Sequence, residues 1–294
     1  MQLPPRPAPV TDVNTMVPGE PLIAFDDVHI GFDEKEVLSG ISFEVWPGET
    51  KILLGESGSG KTLLMKMAAG LLEADAGRIW VMGHDIGGMS EEELLDFRRH
   101  LGFVFQEGAL FDSMTVAENV AFRLREENVA EAEIDGHVRE ALRFVEMEDT
   151  LEKYPAELSG GMRRRVSIAR ALVDRPPLVF YDSPTAGLDP VTSQTIITLI
   201  LRGRDLQGVT SLMATHRVQD AFGLSSFSFD RASGRVIRSD GNGKQTAGTE
   251  AQQKGGPVTN VLVLRGGKIY FEGPAEKLLH SSDDYLKMFM ASAE

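Results

Sequence analysis

The chain has 294 residues, of which 42% are hydrophobic and 25% charged, which is enough apolar material for a packed core. Its formal net charge of −14 repels phosphate backbones and argues against nucleic acid as the main ligand. The absence of cysteine excludes disulfides and thiolate metal sites, so nothing requires an oxidising compartment. No stretch reaches the roughly 18 apolar residues of a spanning helix, and prolines interrupt any N-terminal signal peptide.

The first part of the chain changes character at Leu22. Residues 1–21 are rich in proline and have no period, which predicts an extended tail. Beyond them, TKILLG passes directly into a glycine cluster and then KTLLMKMAAGLL, which predicts a strand, a loop and a helix. Further strands are predicted for LIAFDDVHI, ISFEVW, GRIWVMG, LGFVFQ, PLVFYD and GVTSLMAT.

The helical signals cluster in the middle of the chain. SEEELLDFRR begins with the serine and glutamate of a capping box, which predicts a helix start. Residues 114–174 contain TVAENVAFRLREE and IDGHVREALRFVEM, which predict an inserted helical subdomain. Within residues 225–257, SFSFDRASGRVIRS is typical of a hairpin and the remainder is a polar, glycine-rich peripheral insertion. One domain over 22–290 is therefore expected, with 291–294 as the C-terminal end.

Strands that alternate with helices predict an α/β fold with a mainly parallel sheet covered on both faces. In such a fold, ligands bind at the carboxyl ends of the strands. The loops that follow the predicted strands are therefore the places to search for chemistry.

The glycine cluster matches the phosphate-binding pattern G-x-x-x-x-G-K-[ST], and it lies between a strand and a helix as that pattern requires. Its glycines bring backbone N–H groups close to phosphates, and the helix N-terminus adds partial positive charge. The lysine supplies a full positive charge and the threonine a hydroxyl for Mg²⁺. The eight residues are Gly55, Glu56, Ser57, Gly58, Ser59, Gly60, Lys61 and Thr62.

A second element supplies a carboxylate for Mg²⁺. The apolar run Leu178-Val179-Phe180-Tyr181 ends at Asp182, which is typical of a buried strand with an acidic end. Asp182 could instead cap a helix. Together the two elements predict a P-loop nucleotide-binding protein, and they would also fit a small-molecule kinase or a GTPase.

The segment Leu158-Ser159-Gly160-Gly161-Met162, followed by RRRVSIARAL, predicts a capped helix start with exposed N–H groups that favour an anion. It resembles the signature sequence of ABC ATPases, and Asp182 lies 21 positions beyond Gly161, in the order found in that family. Taken alone, this segment could be an ordinary capped helix.

The resemblance implies a RecA-like P-loop NTPase fold with an N-terminal antiparallel β subdomain, and ATP and Mg²⁺ as cofactors. It implies that Gln106 contacts Mg²⁺ or the attacking water, that His216 contacts the γ-phosphate and that Phe32 stacks on adenine. It also implies that Asp189 touches a second subunit, while Ser159 to Gly161 contact the γ-phosphate held there. Gln106 could instead be a strand-end polar residue, Phe32 a core residue and His216 a helix start.

The resemblance also implies partners: a second ATP-binding subunit, in a homodimer or a heterodimer, and an integral membrane permease. Within the family, the chain is most similar to ATPases of Mla/Mce-type lipid transporters, on the evidence of FQEGALFDSMTVAENVAFRLRE and Met162. This similarity implies a lipid-binding Mce-type protein as a further partner. The implied location is the cytoplasmic face of the cell membrane. Phe111, Met114 and Val116 could line the groove for a permease helix, or belong to the core. A non-transport ABC protein is less well supported, because no tandem site or long coiled coil is present.

One position departs from the family pattern. Ser183 follows Asp182 where the family usually has the glutamate that activates water. A hydroxyl is not a general base at neutral pH, and loss of such a base typically costs about 10² to 10⁴ in rate. A degenerate site in a heterodimer, partial replacement by Glu107 or His216, or an altered sequence would each explain the serine. The alternative function is a regulatory ATP-binding subunit with little hydrolysis.

Overall fold

The computed structural model describes residues 19–33, 35–238 and 258–292. The predicted tail, except for its last three residues, and positions 239–257 of the predicted insertion lie outside the described residues. The strands are β1 Ile23–Phe32, β2 Lys35–Val45, β3 Glu49–Leu54, β4 Ala76–Val81, β5 His84–Asp85, β6 Leu101–Val104, β7 Leu178–Asp182, β8 Thr210–Ala214, β9 Phe227–Asp230, β10 Arg235–Arg238, β11 Val258–Arg265 and β12 Lys268–Pro274. The α-helices are α1 Lys61–Ala68, α2 Glu91–Arg98, α3 Val116–Glu126, α4 Glu131–Phe144, α5 Gly160–Leu172, α6 Pro190–Gln207, α7 Val218–Ser226, α8 Ala275–Leu279 and α9 Asp284–Ser292.

The N-terminal strands form an antiparallel sheet in the order β2-β1-β4-β5. Phe25 and Phe43 face each other across β1 and β2, with ring centroids 4.6 Å apart in a stacked arrangement. Apolar side chains alternate with polar ones along β1, so one face of this sheet is buried. This sheet matches the antiparallel β subdomain that the resemblance implies.

The main sheet has six strands in the order β12-β11-β3-β8-β7-β6. All neighbours are parallel except β12, which pairs antiparallel with β11. Every residue of β3, β7 and β8 is buried, as expected for parallel strands covered on both faces. On β3, Leu53 joins the core cluster under the antiparallel sheet, whereas Ile52 and Leu54 join the cluster under the helices.

Helices α3, α4 and α5 lie between β6 and β7 in the chain, within the region predicted as a helical subdomain. Thr115 and Glu118 form a capping box at the start of α3, and Ser90 and Glu93 form the predicted one at α2. The buried Asn119 amide accepts a hydrogen bond from Phe111 N at 2.8 Å and donates to Phe111 O at 3.0 Å. This amide fixes the segment that connects β6 to the helices.

The C-terminal part returns to the main sheet. Strands β9 and β10 form the hairpin that the sequence predicts. The buried Arg204 anchors it, donating to Phe227 O at 3.0 Å and pairing with Asp205 at 2.6 Å. The last helix ends at Ser292, two residues beyond the predicted domain end at 290. No helix within the described ranges combines the length and apolar character needed to cross a bilayer.

Candidate functional site

The predicted site residues of the main sheet lie at one edge, where its parallel strands end. Asp182 is the last residue of β7 and pairs with Ala214 of β8, so His216 follows two positions beyond the neighbouring strand. Val104 of β6 pairs with Tyr181, which places Gln106 on the other side of Asp182. Because carboxyl ends of parallel strands share an edge, these residues lie at the same edge as the segment that follows β3.

That segment, residues 55–62, is the P-loop and depends on glycine at specific positions. Gly58 and Gly60 have φ angles of +79° and +99°, which favour glycine. A Cβ on Gly60 would overlap the Leu38 side chain of β2, and one on Gly55 would lie 2.8 Å from Leu264 O of β11. The P-loop is therefore wedged between the antiparallel sheet and the last parallel strand.

Lys61 is the buried cation of the P-loop, with only 8% of its surface exposed. Its Nζ donates to Gly55 O and to Glu56 O at 2.8 Å each, and to Ser59 Oγ at 3.3 Å. Burial lowers the pKa of the ammonium, and the negative charge of Asp182 opposes that effect. The backbone of the P-loop thus holds the lysine ammonium inside the loop.

The oxygen atoms expected to bind magnesium converge. Thr62 Oγ1 donates to Asp182 Oδ2 at 3.2 Å and approaches Oδ1 at 3.4 Å. A hydroxyl and a carboxylate are hard oxygen donors, and Mg²⁺ in phosphate sites takes one or two protein ligands and keeps several waters. This pair of residues therefore fits the ion.

The start of α1 fits an anion. Among the described residues, no side chain caps this helix, and its first turn contains no acidic residue. The first N–H groups of a helix have no partner within the helix, and they carry about half a positive charge. Because Gly60 occupies the capping position, these groups remain available to a phosphate.

Ser183 lies beside these groups in a left-handed conformation, with φ of 48°. Its hydroxyl donates to Asp182 Oδ1 at 3.3 Å, and its backbone N–H donates to Ala214 O at 2.8 Å. Its carbonyl accepts from Arg164 Nη1 at 3.1 Å. The side chain at this position is therefore a hydrogen-bond donor to Asp182, and its hydroxyl has no basic function at neutral pH.

Arg164 is a site residue that the sequence analysis did not identify. Its side chain is buried, and burial lowers its pKa, while the carboxylates of Asp182 and Glu107 act in the opposite direction. It projects from the third position after the glycine pair, and no sequence signal distinguishes it from its neighbours Arg163 and Arg165.

The remaining nucleotide contacts predicted from the resemblance are solvent-accessible. Gln106 and His216 are exposed, and Phe32 at the end of β1 is 48% exposed. Phe32 is therefore not a core residue, and His216 precedes α7, which begins at Val218. Their roles towards Mg²⁺, the γ-phosphate and adenine remain predictions.

The signature segment starts α5 with Ser159 as its cap, since Met162 N donates to Ser159 Oγ at 3.2 Å. Ser159 and Gly160 are exposed, whereas Gly161 is buried against Thr192 of α6. Asp189 caps α6 by accepting from Val191 N and Thr192 N at 3.0 Å each. The two helix starts therefore pack together at the surface, and the contacts of Ser159 and Asp189 with another subunit remain predictions.

Replacing Gly161 with alanine is expected to destabilise this junction. The new Cβ would overlap Thr192 Cγ2, and overpacking of this kind costs about 1 to 3 kcal/mol. Adding Thr192→Ser removes that methyl group and keeps a hydroxyl for Asp189, so it should recover most of the loss. Urea denaturation of the single and double variants measures both effects, and equal stabilities of the two would contradict this packing.

The groove proposed for a permease helix is only partly available. Phe111 is 41% exposed, whereas Val116 is fully buried in the core below α3. Arg170 holds the backbone beneath Phe111 by donating to Gly108 O at 2.9 Å and Ala109 O at 2.7 Å. Val116 is therefore a core residue, which is one of the two alternatives that the sequence left open.

Comparison with known proteins agrees with this fold. A family model described as ABC transporter matches residues 38–186, about half of the chain, including the P-loop, the signature segment and Asp182. The cassette cbiO1 from Clostridium perfringens, part of the ABC transporter complex cbiONQ, superposes with a TM-score of 0.72 at 25% identity, covering 91% of this chain and 94% of that one. A dimeric post-hydrolysis ATP-binding cassette bound to ADP and Pi superposes at 0.69 with 24% identity, covering 86% and 98%.

Curated relatives include the methionine import ATP-binding protein MetN of Rhizobium johnstonii, 38% identical over 218 residues, 74% of this chain and 60% of that protein. The spermidine/putrescine import ATP-binding protein PotA of Vibrio vulnificus is 37% identical over 228 residues, covering 77% and 59%. The chloroplastic protein trigalactosyldiacylglycerol 3 of Arabidopsis thaliana is 42% identical over 188 residues, covering 61% and 54%. The chain spans about three-fifths of the length of these relatives or less. Its fold class is the predicted one, and the chain belongs to the ABC transporter family, whose ATP-binding domain it contains.

Proposed function

We propose that this chain is the ATP-binding subunit of an ABC transporter, and that it couples Mg-ATP binding and hydrolysis to transport by a separate membrane permease. The observation that carries the proposal is the convergence of Lys61, Thr62 and Asp182 at an uncapped helix start. ATP and Mg²⁺ are the cofactors of ABC cassettes, and the donor set fits both. The proposed location is the cytoplasmic face of the membrane, in contact with the permease.

Each residue has a distinct part in the proposed mechanism. Lys61 exchanges its carbonyl contacts for oxygens of the β- and γ-phosphates, and the N–H groups at the start of α1 bind the same phosphates. Thr62 and Asp182 would hold Mg²⁺, which would neutralise charge on the phosphate oxygens. Gln106 and His216 orient the attacking water and the γ-phosphate at the same edge of the sheet.

The second half of the site comes from another copy of the chain. The exposed Ser159 and Gly160 start a helix whose first turn contains no acidic residue, so this tip favours an anion. Pairing two copies head to tail would place each tip on the triphosphate held by the other. Closure by ATP and reopening after hydrolysis would then move the permease.

A disulfide trap tests this arrangement directly, because the chain has no native cysteine. Ser57→Cys and Ser159→Cys are made as separate variants and mixed, and oxidation should link them when ATP and Mg²⁺ are present. Ser57→Cys mixed with Ser90→Cys, an exposed serine at the start of α2, is the matched control. Linkage that is as efficient with Ser90→Cys, or that is independent of ATP, would rule out the proposed dimer.

For the transported molecule we propose a lipid, in an Mla/Mce-type complex with an Mce-type lipid-binding protein. The support is the match of FQEGALFDSMTVAENVAFRLRE and Met162 to that subgroup, together with the Arabidopsis relative, whose name is that of a glycolipid. In the purified membrane complex, phospholipid should stimulate ATP hydrolysis several-fold. Stimulation by methionine or spermidine instead would favour the import systems of the other relatives.

Ser183 favours a second candidate function, a regulatory ATP-binding subunit with little hydrolysis. Its hydroxyl donates to Asp182 and has no basic function. Phosphate release from the isolated chain and from the membrane complex separates the two functions. A chain that binds ATP but releases no phosphate in either state is a regulatory subunit.

A further inference from the structure

A buried carboxylate joins the two loops that follow β7 and β8. We call residues 183–189 the β7 loop and residues 215–217 the β8 loop. Asp220, in the first turn of α7, is 2% exposed, and its Oδ2 accepts Thr185 Oγ1 at 2.5 Å and Thr215 Oγ1 at 2.8 Å. A single carboxylate oxygen therefore connects a threonine of the β7 loop to one of the β8 loop.

Arg217 makes a second connection between the same loops. Its Nη1 donates to Thr185 O at 3.3 Å and to Ser193 Oγ at 2.9 Å, in the helix that Asp189 caps. Its backbone N–H donates to Thr215 Oγ1 at 3.0 Å. Its Nε lies 3.8 Å from Asp220 Oδ1, so the two charged side chains also contact each other.

The carboxylate and the two threonines of this network are buried. Thr185 and Thr215 are 0% and 1% exposed. A buried hydroxyl or carboxylate that loses its hydrogen-bond partner cannot bond to water instead, and leaving it unpaired costs free energy. These groups are therefore expected to move together. His216 lies between Thr215 and Arg217, and its backbone cannot shift without breaking these bonds.

We propose that Asp220 and Arg217 are positioning residues that lock the β7 and β8 loops into one unit, fixing His216 relative to Ser183 and Asp189. The inference rests on the proposed function, in which His216 meets the γ-phosphate and Asp189 meets the second copy. A displacement of Asp189 by that copy is then transmitted to His216 through Thr185, Asp220 and Thr215.

Asp220→Asn in the full-length chain tests the lock, because the amide retains the size of the side chain but loses its charge. We expect amide hydrogen exchange to accelerate in both loops together. We also expect kcat for ATP hydrolysis to fall about ten- to a hundredfold, the range that misplacement of a reacting group produces. The KM for ATP should change less than twofold, since the P-loop is untouched.

Asp205→Asn is the matched control, because the Asp205 side chain is only 6% exposed and pairs with Arg204 beneath the hairpin. It should lower thermal stability without changing kcat or exchange in the two loops. If Asp220→Asn does not fold, Thr185→Val and Thr215→Val give the same readouts with smaller perturbation.

Faster exchange in only one loop, or an unchanged kcat when both loops loosen, would overturn the proposal. So would an equal fall in kcat for Asp205→Asn, because the effect would then be general destabilisation. If the unmodified chain hydrolyses no ATP in any state, the proposed function fails, while the exchange measurement still decides whether the loops are locked.

Discussion

Lys61→Ala is expected to weaken ATP binding about a hundredfold or more. The ammonium is the only full positive charge within residues 55–62, and hydrogen bonds to charged groups contribute about 1.5 to 3 kcal/mol each. Without the lysine, its two carbonyl partners in the P-loop, Gly55 O and Glu56 O, would also repel the phosphate oxygens. Titration with ATP and Mg²⁺ by calorimetry gives the Kd directly.

The control for this experiment is Lys66→Ala. Lys66 is exposed in the last turn of the same helix, so its removal changes the net charge equally but leaves the P-loop intact. Its affinity should remain within about twofold of the unmodified chain. Unchanged ATP affinity in Lys61→Ala, with a normal melting temperature, would remove the basis of the whole functional assignment.

Ser183→Glu is expected to raise ATP turnover by about 10² to 10⁴, the usual contribution of a positioned general base. The backbone at this position already has a φ of 48°, so the new side chain starts from a conformation that a non-glycine residue occupies. The guanidinium of Arg164, which donates to the carbonyl of residue 183, would favour the ionised form of the new carboxylate. Phosphate release under saturating ATP measures the change.

Ser183→Gln is the matched comparison, since it has the same length as glutamate but cannot accept a proton. It should hydrolyse ATP no faster than the unmodified chain. If glutamate and glutamine variants turn over equally, the proton acceptor lies elsewhere, and Glu107 of the segment after β6 becomes the first candidate to replace.

Much of the fold followed from local sequence signals. Buried parallel strands are short continuous apolar runs, and this pattern predicted the strand before the P-loop and the strand that ends at Asp182. The helix after the P-loop was predicted from the stretch that follows the glycine cluster. The capping box at Ser90 marked a helix start, because the serine and the glutamate three positions later each accept a hydrogen bond from the other's backbone N–H group.

The connections between distant segments could not be predicted in the same way. Nothing near Asp220 in the sequence shows that it accepts hydrogen bonds from Thr185, which is 35 positions earlier. Arg164 is one of three consecutive arginines, and only the packing of α5 against the main sheet buries it rather than its neighbours. Val116 was equally ambiguous, because an apolar residue at a helix start fits a groove or a core.

The strand that completes the P-loop arrives late in the chain. β11 pairs in parallel with β3, Val263 beside Leu54, and the carbonyl of Leu264 lies against Gly55. More than two hundred positions separate the two strands, so the loop-closure entropy of their pairing is paid only after most of the polypeptide exists. During synthesis the P-loop therefore remains incomplete until the residues of β11 have left the ribosome. ATP, which binds the completed P-loop, can stabilise the fold only at that final stage.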